Sequence, residues 1–186
     1  VIDAKSNEYK LTKSMVENLE GYPDSIKFLS KNDKWSNKAT LVSDIITVDS
    51  DYRVAIENYL EPYLNYFVVP THKDAKAGIK LLRDSQKGKA NFLIADTAKK
   101  KAVDVPNGFQ SQPALDHVIF EEGFEDLGTY LLGDVFISDQ EDISPTDIKN
   151  DITVISKGGG VILQSARMSG GSIGLFEGKK IGRKKG

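Results

Sequence analysis

Tyr66-Phe67-Val68-Val69-Pro70-Thr71-His72-Lys73-Asp74 carries a switch from strand to helix within nine residues. Tyr66 to Val69 is a short apolar run, and Pro70 ends it because proline cannot donate to a ladder. Thr71, with an acid three residues on at Asp74, is close to a capping box and opens a helix. Ala75, Ile79 and Leu82 recur at helical spacing and form its expected buried face. Gly88 follows, and Ala90 to Ala95 is a second apolar strand. Strand, helix and strand within about thirty residues make a βαβ-like unit with a right-handed crossover. The chain is therefore α/β, with mixed sheets.

Upstream, Leu11, Met15 and Leu19 recur at four-residue spacing, which predicts a helix over 6–19 that Gly21 stops. Pro23 opens a short second helix carrying Ile26 and Leu29. Ser30 to Lys38 reads as a polar loop with Trp35 as its one large apolar residue. Leu41 to Val48 reads as a strand, or a strand plus turn, and Arg53 to Leu64 as a helix with Ile56, Tyr59, Leu60 and Tyr63 on one face. Downstream, residues 97–113 hold Lys, Asn, Gly, Gln and two prolines and read as a linker between two lobes. Ser144-Pro145 starts a helix that runs to about Lys149. Ile152 to Ser156, the turn Gly158-Gly159-Gly160 and the return strand Val161 to Leu163 form a β-hairpin.

The second half repeats the first. A shift of 72 places Asp44 on Asp116, Ile46 on Val118, Val48 on Phe120, Tyr52 on Phe124, Tyr59 on Leu131 and Leu60 on Leu132. With a four-residue deletion, Val69 falls on Ile137 and Asp74 on Asp142. Any two strand-helix-strand units match by class, but the shared acidic, aromatic and Leu positions favour duplication of one plan.

The 186 residues are 39% hydrophobic and 28% charged, a globular composition with no cysteine for disulfides or thiolate metal sites. No apolar run approaches the roughly 18 residues of a membrane span. The net charge of −2 excludes a uniformly basic nucleic-acid binder, yet it hides an uneven distribution. Glu121 to Asp151 holds ten acids and one base, whereas Gly178 to Gly186 holds five bases and no acid. Such a split suggests a localised electrostatic role, although short basic runs are often just solvated helix surface. Nine of the 16 glycines fall between Gly158 and Gly186, which implies sharp turns or a close backbone approach. The start at Val1 and the basic end suggest a piece excised from a longer protein.

No catalytic constellation emerges. Gly178-Lys179 fails as a phosphate loop, because Ile173 stands where glycine is needed and Lys180 where a hydroxyl is needed. A dinucleotide fingerprint fails at Leu163. His72 and His117 would need to meet among carboxylates to hold zinc, and a solvated or capping histidine is the simpler reading. The pairs Glu121-Glu122 and Glu141-Asp142 are adjacent in sequence, which suits solvated turns and helix starts better than paired acid/base work.

In order and spacing the segments resemble the hinge domain of SMC (structural maintenance of chromosomes) proteins of the bacterial condensin type. Glu8-Tyr9-Lys10-Leu11 through Gly21-Tyr22 is similar to the end of the incoming coiled coil. Leu41 to Val48 with Ala55-Ile56-Glu57, then Tyr66 to Val69, Asp74-Ala75 and Ala90 to Leu93, resemble the first lobe. Tyr130-Leu131-Leu132-Gly133-Asp134-Val135 resembles the second, and Met168-Ser169-Gly170-Gly171-Ser172 the family's closing glycine motif.

The resemblance implies a non-catalytic, two-lobed domain: 1–38 as the end of the incoming coil and entry helices, 39–110 as lobe I, 111–177 as lobe II and 178–186 as the basic exit. It implies a doughnut-like homodimer with sheets meeting edge to edge, no cofactor, no small-molecule substrate, no membrane, and a cytoplasmic, nucleoid-associated place. The ATPase heads would lie elsewhere in the full protein. Edge strands carry unpaired N–H and C=O groups ready for another chain, so Gly170 and Gly171 are expected at the dimer interface. The family often has a second Gly-Gly five residues earlier, where this chain has Ser165 and Ala166, also small and also expected there. Lys179, Lys180, Arg183, Lys184 and Lys185 are expected to touch DNA phosphates without sequence preference. The alternative from another class is a small-molecule-binding or transferase domain with a pocket near Gly158 to Gly171.

Overall fold

The computed structural model describes residues 21–98, 103, 111–143, 151–172 and 181. The helices expected over 6–19 and 144–149, most of the expected linker, and Lys179, Lys180, Arg183, Lys184 and Lys185 lie outside the described residues.

Helix α1 (Asp24–Ser30) follows Pro23 and buries Ile26 and Leu29. The stretch expected as a loop instead holds a one-turn helix, α2 (Asp33–Ser36), because the Asn32 side chain accepts the Trp35 N–H and Trp35 is buried. The strand expected over Leu41 to Val48 is split by a 3-10 turn at Val42–Asp44 into β1 (Thr40–Leu41) and β2 (Ile46–Val48). Helix α3 (Arg53–Leu60) passes into a 3-10 turn, Glu61–Tyr63, at Pro62. The expected unit follows as β3 (Phe67–Val69), α4 (His72–Asp84) and β4 (Phe92–Ile94), with β3 and β4 parallel. Thr71 caps α4 by accepting the Asp74 N–H and donating to Asp74 Oδ2.

One part of the α4 face differs from expectation. Ile79 is 41% exposed, and Gly78 is buried instead. The cause is Trp35, whose ring would lie 2.8 Å from a Cβ at Gly78. The indole N–H donates to the Asp74 carbonyl (2.8 Å), and the ring meets Phe67 and Phe92 edge-on. The helix turns its smallest position to the indole and Ile79 rotates outward.

The second half contributes β5 (Gln112–Pro113), β6 (Val118–Phe120), α5 (Glu125–Leu132), β7 (Val135–Ser138), β8 (Thr153–Ser156), β9 (Val161–Gln164) and β10 (Arg167–Gly170). The expected β8–β9 hairpin is present, while β10 was not legible as a strand. Among the described residues the strands form three sheets, ordered β1-β3-β4, β10-β9-β8-β7-β5 and β2-β6. One apolar core draws on both halves, with Ile56, Leu60 and Leu64 from the first and Leu127, Leu132 and Ile155 from the second. Fully burying each such side chain stabilises the fold by about 1.5–3 kcal/mol.

The duplication is visible as geometry. Strands β1 and β5 and helices α3 and α5 are each related by the shift of 72. Both helices start from an aromatic residue, Tyr52 or Phe124, with nearly the same backbone angles (φ −113°, ψ 1° and φ −112°, ψ 14°). The β2–β6 ribbon pairs Ile46 with Phe120, Thr47 with Ile119 and Val48 with Val118. The Asp49 N–H donates to the His117 carbonyl and the Glu121 N–H to the Ile45 carbonyl, both at 2.9 Å. These positions exchange under the shift, so a pseudo-two-fold axis passes between Thr47 and Ile119. The deletion between the halves is three residues, not four. Leu41 pairs with Phe67 as Pro113 pairs with Phe136, and Ala95 N–H donates to Val69 O as Lys157 N–H donates to Ser138 O. Val69 therefore corresponds to Ser138. The one-residue difference matters because it exchanges the two faces of the strand.

Candidate functional site

Lobe I and lobe II share a core plan of three strands, β1-β3-β4 and β5-β7-β8. Lobe II extends its plan by β9 and β10, so the edge that corresponds to β4 is covered in lobe II and open in lobe I among the described residues. On β4, the Asn91 carbonyl accepts from Phe67 N–H and the Ala95 N–H donates to Val69 O. Alternation along the strand then turns the main-chain groups of Phe92 and the N–H of Ile94 away from β3. The Ile94 carbonyl accepts from Thr97 and Ala98 in the turn that follows.

Strand β10 is a second open edge among the described residues. Among the described residues it pairs with β9 alone, Arg167 opposite Gln164 through Gly170 opposite Val161, and all four of its residues are exposed. The Gly171 N–H donates to the Gly160 carbonyl (3.0 Å), which sets the alternation and leaves Met168 and Gly170 with outward-facing main-chain groups.

The four residues expected at an interface sit on or beside this edge. Ser165 and Ala166 form the exposed two-residue turn between β9 and β10. Two-residue hairpin turns usually take positive φ and favour glycine, but neither residue has a positive φ here. The absence of the second Gly-Gly is thereby accommodated. Gly170 is required by its own chain, since a Cβ there would stand 2.6 Å from the Gly160 carbonyl oxygen. Gly171 has φ +142°, a conformation that L side chains rarely adopt.

Where the alternative reading expects a pocket, the described residues place the chain's own side chains against the Gly158 to Gly160 turn. The Glu141 carboxylate lies over the turn, 2.5 Å from a Cβ built on Gly158 and 2.9 Å from one on Gly160. The Asn58 side-chain amide of α3 donates to the Gly159 carbonyl at 2.8 Å. Glu141 and Asn58 thus hold the turn from within its own chain. A concavity of about 360 Å³ lies elsewhere, at the carboxyl end of β4, lined by Ala95, Asp96, Gly123, Asp126 and Leu127.

Three polar features between the halves were not legible in the sequence. Glu57 is fully buried on α3 and accepts the Ile181 N–H at 3.1 Å, which fixes Ile181 to the shared core. Burial pushes the Tyr59 hydroxyl up to about 12; the Asp134 carboxylate adds to this and a hydrogen bond with Thr153 opposes it. His117 stacks on Tyr52 at 3.6 Å and places its ring nitrogens 2.6 Å from Gln112 Oε1 and 3.4 Å from Asp49 Oδ2. His72 is exposed at the start of α4. Among the described residues no group of three or more potential metal ligands gathers, and no helix is long and apolar enough to cross a membrane.

Residues 37–143 match the family described as SMC proteins Flexible Hinge Domain. The chain is 25% identical over 191 residues to the chromosome partition protein Smc of Clostridium kluyveri, covering 95% of this chain and 16% of that protein. It is 27% identical to the Smc of Halothermothrix orenii, covering 90% and 15%. The chain thus spans about a sixth of these relatives. In structure it is similar to an asymmetric dimer of the Geobacillus stearothermophilus SMC hinge domain (TM-score 0.81, 18% identity, 98% of this chain and 78% of that one). The Pyrococcus furiosus SMC hinge domain is also similar (TM-score 0.67, 22% identity, 88% of both chains). These structural likenesses establish the shared fold.

Proposed function

Because the chain belongs to the family of SMC flexible hinge domains, we propose that it is the dimerisation hinge of a chromosome-organising SMC protein. It would join two coiled-coil arms and contribute sequence-independent DNA contacts. The observation that carries this reading is the complementarity of the β4 and β10 edges. Lobe I lacks the neighbour strand that lobe II supplies to itself, and β10 is an exposed strand with nothing beyond it among the described residues. Adding β10 of one copy to β4 of another continues the three-stranded sheet into the five-stranded one. A two-fold axis then makes the same contact twice and closes a ring. Ser165, Ala166, Gly170 and Gly171 fall at this seam. A solved relative described as a dimer of an SMC hinge domain supports the reading.

The hinge family is a non-catalytic one. ATP hydrolysis belongs, on this reading, to head domains elsewhere in a cytoplasmic, nucleoid-associated protein, and the hinge itself needs no cofactor or small-molecule substrate. Lys179, Lys180, Arg183, Lys184 and Lys185 would meet DNA phosphates where the outgoing coil begins. Each phosphate neutralised adds about 0.7–0.9 to the salt slope. One experiment addresses both halves of the reading: light scattering and duplex-DNA gel shift on the wild type and on a variant with these five changed to Glu. The expected result is a dimer in both and DNA retardation only in the wild type. A monomeric wild type at tens of micromolar overturns the hinge reading, and undiminished retardation by the variant overturns the DNA contact.

A further inference from the structure

We propose that the seam between protomers is keyed by an ion pair, in which the partner's Arg167 enters the acidic concavity formed by Asp96 and Asp126 at the carboxyl end of β4. The inference rests on the dimer reading above and adds to it the direction and register of the seam.

Direction comes from the repeat. Strand β8 is the counterpart of β4, and its added neighbour β9 runs antiparallel, with Val154 opposite Leu163 and Ile155 opposite Ile162. A strand added to β4 by the same rule also runs antiparallel. Register comes from the outward main-chain groups, those of Phe92 and the N–H of Ile94 on one edge and those of Met168 and Gly170 on the other. Matching them places Phe92 opposite the partner's Gly170 and Ile94 opposite the partner's Met168. The next position sets Ala95 opposite the partner's Arg167. A parallel strand would carry that arginine to the other end of β4, beside Asn91.

Ala95 and Asp96 form one wall of the concavity of about 360 Å³, and Gly123, Asp126 and Leu127 the other. Asp96 and Asp126 are exposed and, among the described residues, neither is in an ion pair. Arg167 is likewise exposed and without one. Two carboxylates facing one space repel each other, and a guanidinium can fork between them. Opposite strands lie about 4.5–5.5 Å apart at Cα, well within the reach of an arginine. One chain carries both halves of the pair, so the closed dimer forms it twice.

The test is a charge swap read by sedimentation equilibrium at low salt. Arg167→Glu and Asp96→Arg should each raise the dimer dissociation constant about tenfold, and the double variant should return to within about threefold of wild type. Thermal melts by circular dichroism check that each variant folds. A wild-type dimer whose affinity Arg167→Glu leaves unchanged overturns the ion pair, as does a double variant no tighter than the weaker single one. A monomeric wild type overturns the dimer itself, a result distinct from either.

Discussion

Replacing Gly170 by Ala separates two roles that a glycine in this motif could play. If the glycine serves its own chain, the harm is in the folded monomer. If it serves a partner's backbone, the harm is only in association. A Cβ at this position stands 2.6 Å from the Gly160 carbonyl oxygen, roughly 0.8 Å inside an ordinary carbon–oxygen contact. That obstacle is backbone, held by the hydrogen bond from the Gly171 N–H to the same oxygen, so a side-chain rotation cannot relieve it. Overpacking of this kind costs about 1–3 kcal/mol, and losing the bond as β10 moves away costs about 0.5–1.5 kcal/mol more. A total of about 1.5–4.5 kcal/mol lowers the melting temperature by roughly 3–18 °C at this chain length. The assay is thermal unfolding followed by Trp35 fluorescence, run well below and well above the dimer dissociation constant, with exposed Ser169→Ala as control. The expected result is a loss at both concentrations for Gly170→Ala and almost none for the control. A variant that melts with the wild type when dilute but fails to dimerise would refute the reasoning, because the glycine would then be spacing the partner.

Two further outcomes probe the junction of the halves. Tyr59 keeps its proton to about pH 12 in the folded chain, whereas an unfolded tyrosine releases it near pH 10. Its contribution to stability is therefore complete below pH 10 and is lost as pH rises through 12. The shift corresponds to at most roughly 2–3 kcal/mol, and to about 1 kcal/mol after solvent screening at a partly exposed site. Urea titrations between pH 9 and 12 should show a shallower alkaline fall for Tyr59→Phe, and an identical slope would count against the assignment. Asn58→Ala removes the donor to the Gly159 carbonyl and leaves an acceptor of a buried residue unpaired. It should cost about 1–3 kcal/mol in chemical denaturation, and no change would mean that the turn holds its position unaided.

Much of the fold was legible because its signals are local. Pro23, the Thr71–Asp74 cap and the Gly158 to Gly160 turn mark boundaries by their own backbone chemistry, and the structure places α1, α4 and the β8–β9 hairpin there. The failures are tertiary. Nothing around Ser30 to Lys38 says that Trp35 will be buried, so α2 looked like loop and Ile79 looked like core. Leu41 to Val48 is mostly apolar and β-branched, and only pairing with two different strands reveals its break at Val42–Asp44. Strand β10 lacks the apolar alternation of a half-buried strand because all four of its residues are exposed. The glycines around it were visible, but their requirement by Gly160 and by a positive φ was not. For the same reason the open edge of β4 can be recognised only beside β8.

The pseudo-two-fold ribbon has a consequence for assembly. Ile46 to Val48 and Val118 to Phe120 recognise each other as two separate molecules would across an isologous contact. Nothing in the three pairs records which chain supplies which strand. Joining both strands in one chain favours the internal pairing through effective concentration, and the Val103 N–H, donating to the Gly133 carbonyl at 2.9 Å, ties the connection to lobe II. Lobe I and lobe II are in this sense subunits joined covalently, and it is that covalent link, rather than the chemistry of the ribbon, that favours a self-contained protomer over lobes exchanged between chains.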